Sequence, residues 1–253
     1  MGRTVGFLAT FLAAWFVLDR LAVSPPMPVP ALIALGVAAA IVVAGQVLVF
    51  RTPTTELARV IGLGRPVARA IGVATLVGVL VIAAYLVGAQ ALGIQLHLLA
   101  DWPLVLVGAL IFHGLAEELV WRGFVFGRLR DTRTFGRAVV LSMPLIALTH
   151  VPIFVANGPV IGTVALISAA ITCLPLAYLY ERGGRTIWAP AIVHGMVGTW
   201  QLFERTYPMG FSMVVMLVTI GVPLLAFAFR DRFFGGAVDP KPASAPTMAT
   251  QAA

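Results

Sequence analysis

The sequence predicts an all-α, polytopic transmembrane helical bundle of about eight spans, and three observations carry that prediction. Of 253 residues, 60% are hydrophobic and only 11% charged, where a soluble globular chain is about one quarter charged. The mean hydropathy is +1.00. The apolar residues gather in runs long enough, or nearly so, to cross a hydrocarbon core about 30 Å thick, and the basic residues cluster between alternate runs.

The first run, residues 4–23, follows Arg3 as a signal peptide would follow its basic flank. No small-residue cleavage site comes after it, and Asp19 and Arg20 close it, so it reads as an uncleaved span. Further runs lie at 29–50, 71–93, 102–126, 138–156, 159–180, 186–203 and 211–229. No repeat and no linker divides them, so residues 1–235 read as a single integral membrane domain. Residues 236–253, rich in Pro, Ala, Ser and Thr, read as a disordered cytoplasmic tail. The lone Cys173 lies inside an apolar run; it rules out an intramolecular disulfide and reads as a small core residue.

Orientation follows from the loops. With the N-terminus inside, the cytoplasmic side holds Arg3, then Arg51, Arg59, Arg65 and Arg69, then Arg122, Arg128, Arg130, Arg133 and Arg137. Arg182, Arg185, Arg230, Arg232 and Lys241 complete it, which makes 15 of the 17 Lys and Arg; Arg20 and Arg205 fall outside. Adding or removing one span would spoil this bias, so both termini are expected in the cytoplasm. The net charge of +7 is thereby a topology signal, and no nucleic acid is expected as a partner; the bilayer is. Arginine outnumbers lysine 16 to 1, which fits a GC-rich bacterial genome and hence a bacterial inner membrane.

An ionisable side chain at mid-membrane costs at least about 2.5–3.5 kcal/mol on insertion scales and marks a functional candidate. Eight of the ten acidic residues lie in loops, at span ends or in the tail; the other two, Glu117 and Glu118, are adjacent inside the fourth run. Three of the four histidines, His113, His150 and His194, also lie inside runs. At 1.5 Å per residue Glu117 is about 16 Å from Arg128, His150 about 20 Å from Arg137 and His194 about 14 Å from Arg185. These depths are comparable and slightly cytoplasmic of the midplane. Glu118 and Arg122 share a helix face as an ion pair, while Glu117 points about 100° away, toward His150 and His194. His113, one turn from Glu117, reads as a packing or supporting residue. The bland alternative is that these groups only pair with one another to hold the bundle.

At these residues the chain resembles the CAAX protease and bacteriocin-processing (CPBP, Abi) family of intramembrane proteases, which includes the Rce1-type prenyl-protein endopeptidases. Glu117-Glu118-Leu119-Val120-Trp121-Arg122 matches the family's EExxxR motif. Ile146 to His150 matches FxxxH in its histidine, with isoleucine for phenylalanine. His194 to Gly198 matches HxxxN or HxxxD in its histidine alone. The resemblance covers residues 102–203. It implies an endopeptidase that hydrolyses a peptide bond in a membrane-associated protein or peptide, reached from the cytoplasmic side. Glu117 would be the general base, His150 would orient the water, and His194 would stabilise the oxyanion. Glu118 and Arg122 would support the helix and its charge balance. The cofactor would be either none or a divalent metal such as zinc held by Glu117, His150 and His194, which lack the single-helix HExxH spacing. Gly198 stands where the family has Asn or Asp, and Gln201, on nearly the same face as His194, is the candidate to supply its side chain. Pro190 either kinks the seventh run or begins its helix.

Two other classes compete with the protease reading. One is an inert membrane scaffold or immunity-type relative that keeps the fold without activity, which Gly198 would allow. The other is a proton-coupled carrier using Glu117 and His150, which would call for inverted repeats and paired broken helices; neither is visible.

Overall fold

In hydrocarbon every backbone polar group needs an internal partner, so each apolar run can satisfy itself only as a helix. The computed structural model describes residues 2–204, 209–235 and 238, and in it every run is helical. The main elements are α1 (Gly2–Leu21), α2 (Pro28–Leu48), α3 (Ala68–Ala91), α4 (Trp102–Thr132), α5 (Phe135–Leu148), α6 (Val151–Arg182), α7 (Trp188–Val197) and α8 (Met209–Ala228). The chain is thus an all-α bundle of membrane type. Among the described residues six helices are long and apolar enough to cross a bilayer; α5 and α7 are shorter. The tail assigned to 236–253 lies, but for Val238, outside the described residues.

Two runs expected as unbroken spans are interrupted. The run 138–156 breaks at Thr149-His150, between α5 and α6. Pro152 explains the break: it lacks an N–H, and in a continuous helix its ring would meet the carbonyl of Leu148. The run 186–203 is α7 followed by a tighter 3₁₀ turn, Gly198–Leu202. Pro190 sits in the first turn of α7, where a missing N–H costs nothing, so it starts the helix instead of kinking it. The boundary placed between 156 and 159 is a sharp reversal. Gly158 has φ +81° and ψ 175°, a backbone state open mainly to glycine, and the two pieces of α6 meet there. They return in backbone contact, since a Cβ on Gly162 would strike the Cα of Phe154.

The loops gather at two ends. At one, the Ile187 N–H bonds the Gly62 carbonyl (2.9 Å) and the Val67 N–H the Gly183 carbonyl (3.3 Å). Arg185 reaches Asp131 (2.9 Å), Arg130 reaches Glu181 (2.9 Å), and Arg128 bonds Gln46 and Thr52. At the other end the Leu99 N–H bonds the Leu202 carbonyl and the Glu204 N–H the His97 carbonyl, both at 2.9 Å. There the 22–27 connection lies against α4, its Pro26 carbonyl occupying the space a Cβ on Gly108 would need.

Small residues set how closely the central helices approach. A Cβ on Gly114 would lie 2.7 Å from the Ala191 carbonyl oxygen, and one on Gly195 would lie 2.8 Å from Leu110. Membrane helices pack mainly by such backbone-close contact, since lipid offers no hydrophobic drive to associate. The result sets α4 directly against α7.

Candidate active site

Glu117 and Glu118 stand where α4 is locally widened. Leu110–Ala116 and Leu119–Phe126 form π-type turns: the Glu117 N–H bonds the Phe112 carbonyl and the Gly127 N–H the Arg122 carbonyl, each five residues back. Such turns are rare and often sit at functional sites.

Glu118 and Arg122 form the expected ion pair, 2.6 Å long, with side chains 0% and 2% exposed. The expectation that Glu118 faces away from the other groups is corrected. Its Oε1 also lies 2.8 Å from His194 Nδ1, so one carboxylate serves both the arginine and the histidine. Because an Arg-paired carboxylate is ionised and only accepts, His194 Nδ1 carries the hydrogen. Its Nε2 is then the atom left facing Glu117, 3.4 Å from Oε2.

The same Glu117 oxygen lies 3.3 Å from His113 Nδ1. On its far side His113 Nε2 is 3.0 Å from Gln201 Nε2, and the Ser24 hydroxyl donates to Gln201 Oε1 at 3.3 Å. Gln201 therefore does reach the cluster, as its position on the face of His194 suggested, but through His113. Gly198 closes the arrangement: a Cβ there would lie 3.1 Å from His113 Cδ2 and 3.7 Å from Gln201 Nε2.

His150 approaches from the break between α5 and α6. Its Nδ1 is 3.1 Å from the Ile146 carbonyl and 3.0 Å from Thr149 Oγ1. A carbonyl only accepts, so Nδ1 holds the hydrogen and Nε2 has a free lone pair. His150 is near enough to Glu117 to feel its charge. The Trp121 ring lies between the two motif histidines, its centroid 5.7 Å from His150 and 5.3 Å from His194. Trp121 is buried and its indole N–H has no hydrogen-bond partner among the described residues. Trp15 Nε1 donates to the Thr149 carbonyl at 3.3 Å, which props the His150 turn from α1.

Among the described residues, the donor atoms grouped tightly enough for a metal ion belong to His113, Glu117 and His194, all within 4.8 Å of one another. His150, expected as a ligand, is outside that group, and His113 takes its place. The spacing fits: bonds of about 2.0–2.2 Å put tetrahedral zinc ligands roughly 3.3–3.5 Å apart. Glu117 Oε2 is 3.3 and 3.4 Å from the two imidazoles. The Glu118 carboxylate behind His194 is the partner a metal-bound imidazole ordinarily has.

His113 and Trp121 are the residues whose weight in the site sequence reasoning missed. His113 carried a signal in its one-turn spacing to Glu117; Trp121 carried one as an N–H donor inside the acidic motif. Ser24 and Trp15 carried none, since nothing local ties the first two helices to this cluster.

Residues 99–200 match the family model of type II CAAX prenyl endopeptidase Rce1-like proteins. This segment supplies all the motif residues above and supports assigning the chain to that family. No curated protein matches the chain.

Proposed function

We propose that this chain, a member of the Rce1-like CAAX protease family through residues 99–200, is an intramembrane endopeptidase acting on a membrane-associated protein or peptide. The observation that carries the reading is the setting of Glu117, one oxygen of which is shared by two imidazoles inside a membrane bundle. Such a carboxylate is poised to take a proton from water.

In the proposed reaction Glu117 removes that proton as the water oxygen attacks the scissile carbonyl. The Nε2 lone pair of His150 orients the water by accepting its other hydrogen. The proton on Glu117 passes to His194 Nε2, 3.4 Å away, giving an imidazolium steadied by Glu118. That imidazolium hydrogen-bonds the oxyanion and then protonates the leaving nitrogen as the carbonyl re-forms and the C–N bond breaks, leaving a carboxylic acid and an amine. Preorganised donors of this kind are worth about 10²–10³ in rate. His113, Glu117 and His194 would hold a divalent cation such as zinc, which when bound supplies a Lewis acid for the carbonyl.

The finer topology belongs to the same proposal: eight crossings, both termini cytoplasmic, and a site open to the cytoplasm of a bacterial inner membrane. It is supported by the clustering at one end of the helix ends and turns holding Gln46 and Thr52, Asp131, and Glu181 and Arg185.

The test is cleavage of a panel of membrane-tethered peptides by the protein in nanodiscs, with Glu117→Gln and His150→Ala alongside and with or without a chelator. Wild type should cut, and both variants should fold yet lose about 10²–10⁴ in kcat, the usual contribution of acid–base groups. Wild-type silence on every peptide, or unchanged cleavage by Glu117→Gln, would sink the reading.

A further inference from the structure

We infer that His113 is the residue that positions Glu117 for its reaction, and that the glycine at 198 is what gives it room. This rests on reading Glu117 as the base. The hydrogen bonds run in one direction. The Ser24 hydroxyl donates to Gln201 Oε1, which leaves the amide Nε2 aimed at His113 Nε2. An amide nitrogen only donates, so His113 Nε2 accepts and its proton resides on Nδ1. In the metal-free protein that N–H points at Glu117 Oε2, and the carboxylate gains a fixed donor.

The donor matters because a glutamate's terminal torsion is broad. An unheld Glu117 would spread over orientations in which neither oxygen faces the histidines. His113 holds it from within α4, at the same oxygen that lies 3.4 Å from His194 Nε2 on α7, so the carboxylate is aimed at the histidine that is to take its proton.

Gly198 makes the arrangement possible. Its missing side chain would point at the His113 ring, 3.1 Å from Cδ2, tighter than a normal carbon–carbon contact. A side chain there presses on the imidazole, which has to give by a few tenths of an ångström. A side chain from position 198 and an imidazole from position 113 thus compete for one volume next to Glu117, and this chain fills it with the imidazole. Part of the support comes from outside the family-matched segment, because Ser24 belongs to the connection between α1 and α2.

Two measurements test the inference, both on chelator-treated protein. The first is ¹⁵N-histidine NMR of the full chain, whose four histidines are assigned by single substitutions. His113 should appear as the Nδ1–H tautomer, and its resonances should shift in Gln201→Leu and Gly198→Ala. An Nε2–H tautomer, or no response to either substitution, would overturn the inference whether or not any substrate is cut. The second is kinetic. His113→Leu should lower kcat about 10–100-fold, the usual cost of losing a supporting hydrogen bond at a site, with KM little changed. His113→Asn, whose amide nitrogen falls near the Nδ1 position, should recover most of that loss. Gly198→Ala should lower kcat in wild type and add nothing in the His113→Leu background, since groups that act as one unit are not additive. Normal kcat in His113→Leu, or simple additivity with Gly198→Ala, would overturn the inference while leaving the protease reading in place. Failure of wild type and every variant to cleave, in untreated as well as chelator-treated protein, would sink the protease reading instead, and the tautomer would still decide the role of His113.

Discussion

Arg122 is a demanding residue to bury: a guanidinium 2% exposed, paired with a carboxylate that is fully buried. Removing one partner of such a pair strands the other charge and costs about 3–5 kcal/mol, whereas replacing both with apolar groups is often neutral. Glu118→Ala should therefore lower thermal stability in detergent sharply, and Glu118→Leu with Arg122→Leu should recover most of it. Cleavage should not return in the double variant, because Glu118 also fixes the His194 tautomer through a 2.8 Å bond. Recovery of activity along with stability would mean that Glu118 serves the helix alone. The sequence made the Glu118–Arg122 pair legible, since four residues on one helix is a spacing with a physical meaning. It hid the second bond of Glu118, which depends on which helix packs there.

At the level of elements, the site depends on how closely α4 and α7 approach. Gly114 meets the Ala191 backbone and Gly195 meets Leu110, so a methyl group at 114 must separate the helices or bend them, and one at 195 must turn the Leu110 side chain and press on its backbone. Gly114→Ala and Gly195→Ala should each cost about 1–3 kcal/mol, the usual penalty of overpacking. Each should also weaken cleavage more than stability, by lengthening the Glu118–His194 bond. Thermal melts and kcat on the same preparations check this; loss of stability with undiminished kcat would show that the site tolerates the wider gap. Of the breaks in the elements, the reversal at Gly158 lies close to the boundary drawn between the fifth and sixth runs, whereas the one that Pro152 forces before His150 fell inside a run read as continuous. The π-type turns around Glu117-Glu118 had no such residue to announce them. A depth argument along ideal helices therefore brought Glu117, His150 and His194 to one level yet could not foresee that His113 would stand nearer to Glu117 than a packing role required.

For the whole molecule the decisive quantity is how many times the chain crosses the bilayer, and charge and packing bear on it independently. The sequence distributes its arginines so that an eight-span chain has nearly all of them on one side. The structure brings the end of α4, with Arg130 and Asp131, together with Glu181 and Arg185 at one end through ion pairs, and residues 97–99 meet 202–204 at the other. Neither arrangement required the other, since a helix pair can close by packing with its charges on either side. Cysteine accessibility in intact cells joins them. With Cys173, which is buried, replaced by alanine, single cysteines at the exposed positions Arg59, Arg133 and Gln95 report the two ends. A membrane-impermeant maleimide applied from outside should label Gln95→Cys alone, and permeabilised cells should label all three. Labelling of Arg59→Cys and Gln95→Cys from the same side would mean that α3 does not cross, and the eight-crossing path would fail. Labelling of Arg59→Cys and Arg133→Cys from outside would invert the bundle and turn the Glu117 cluster toward substrates on the other face.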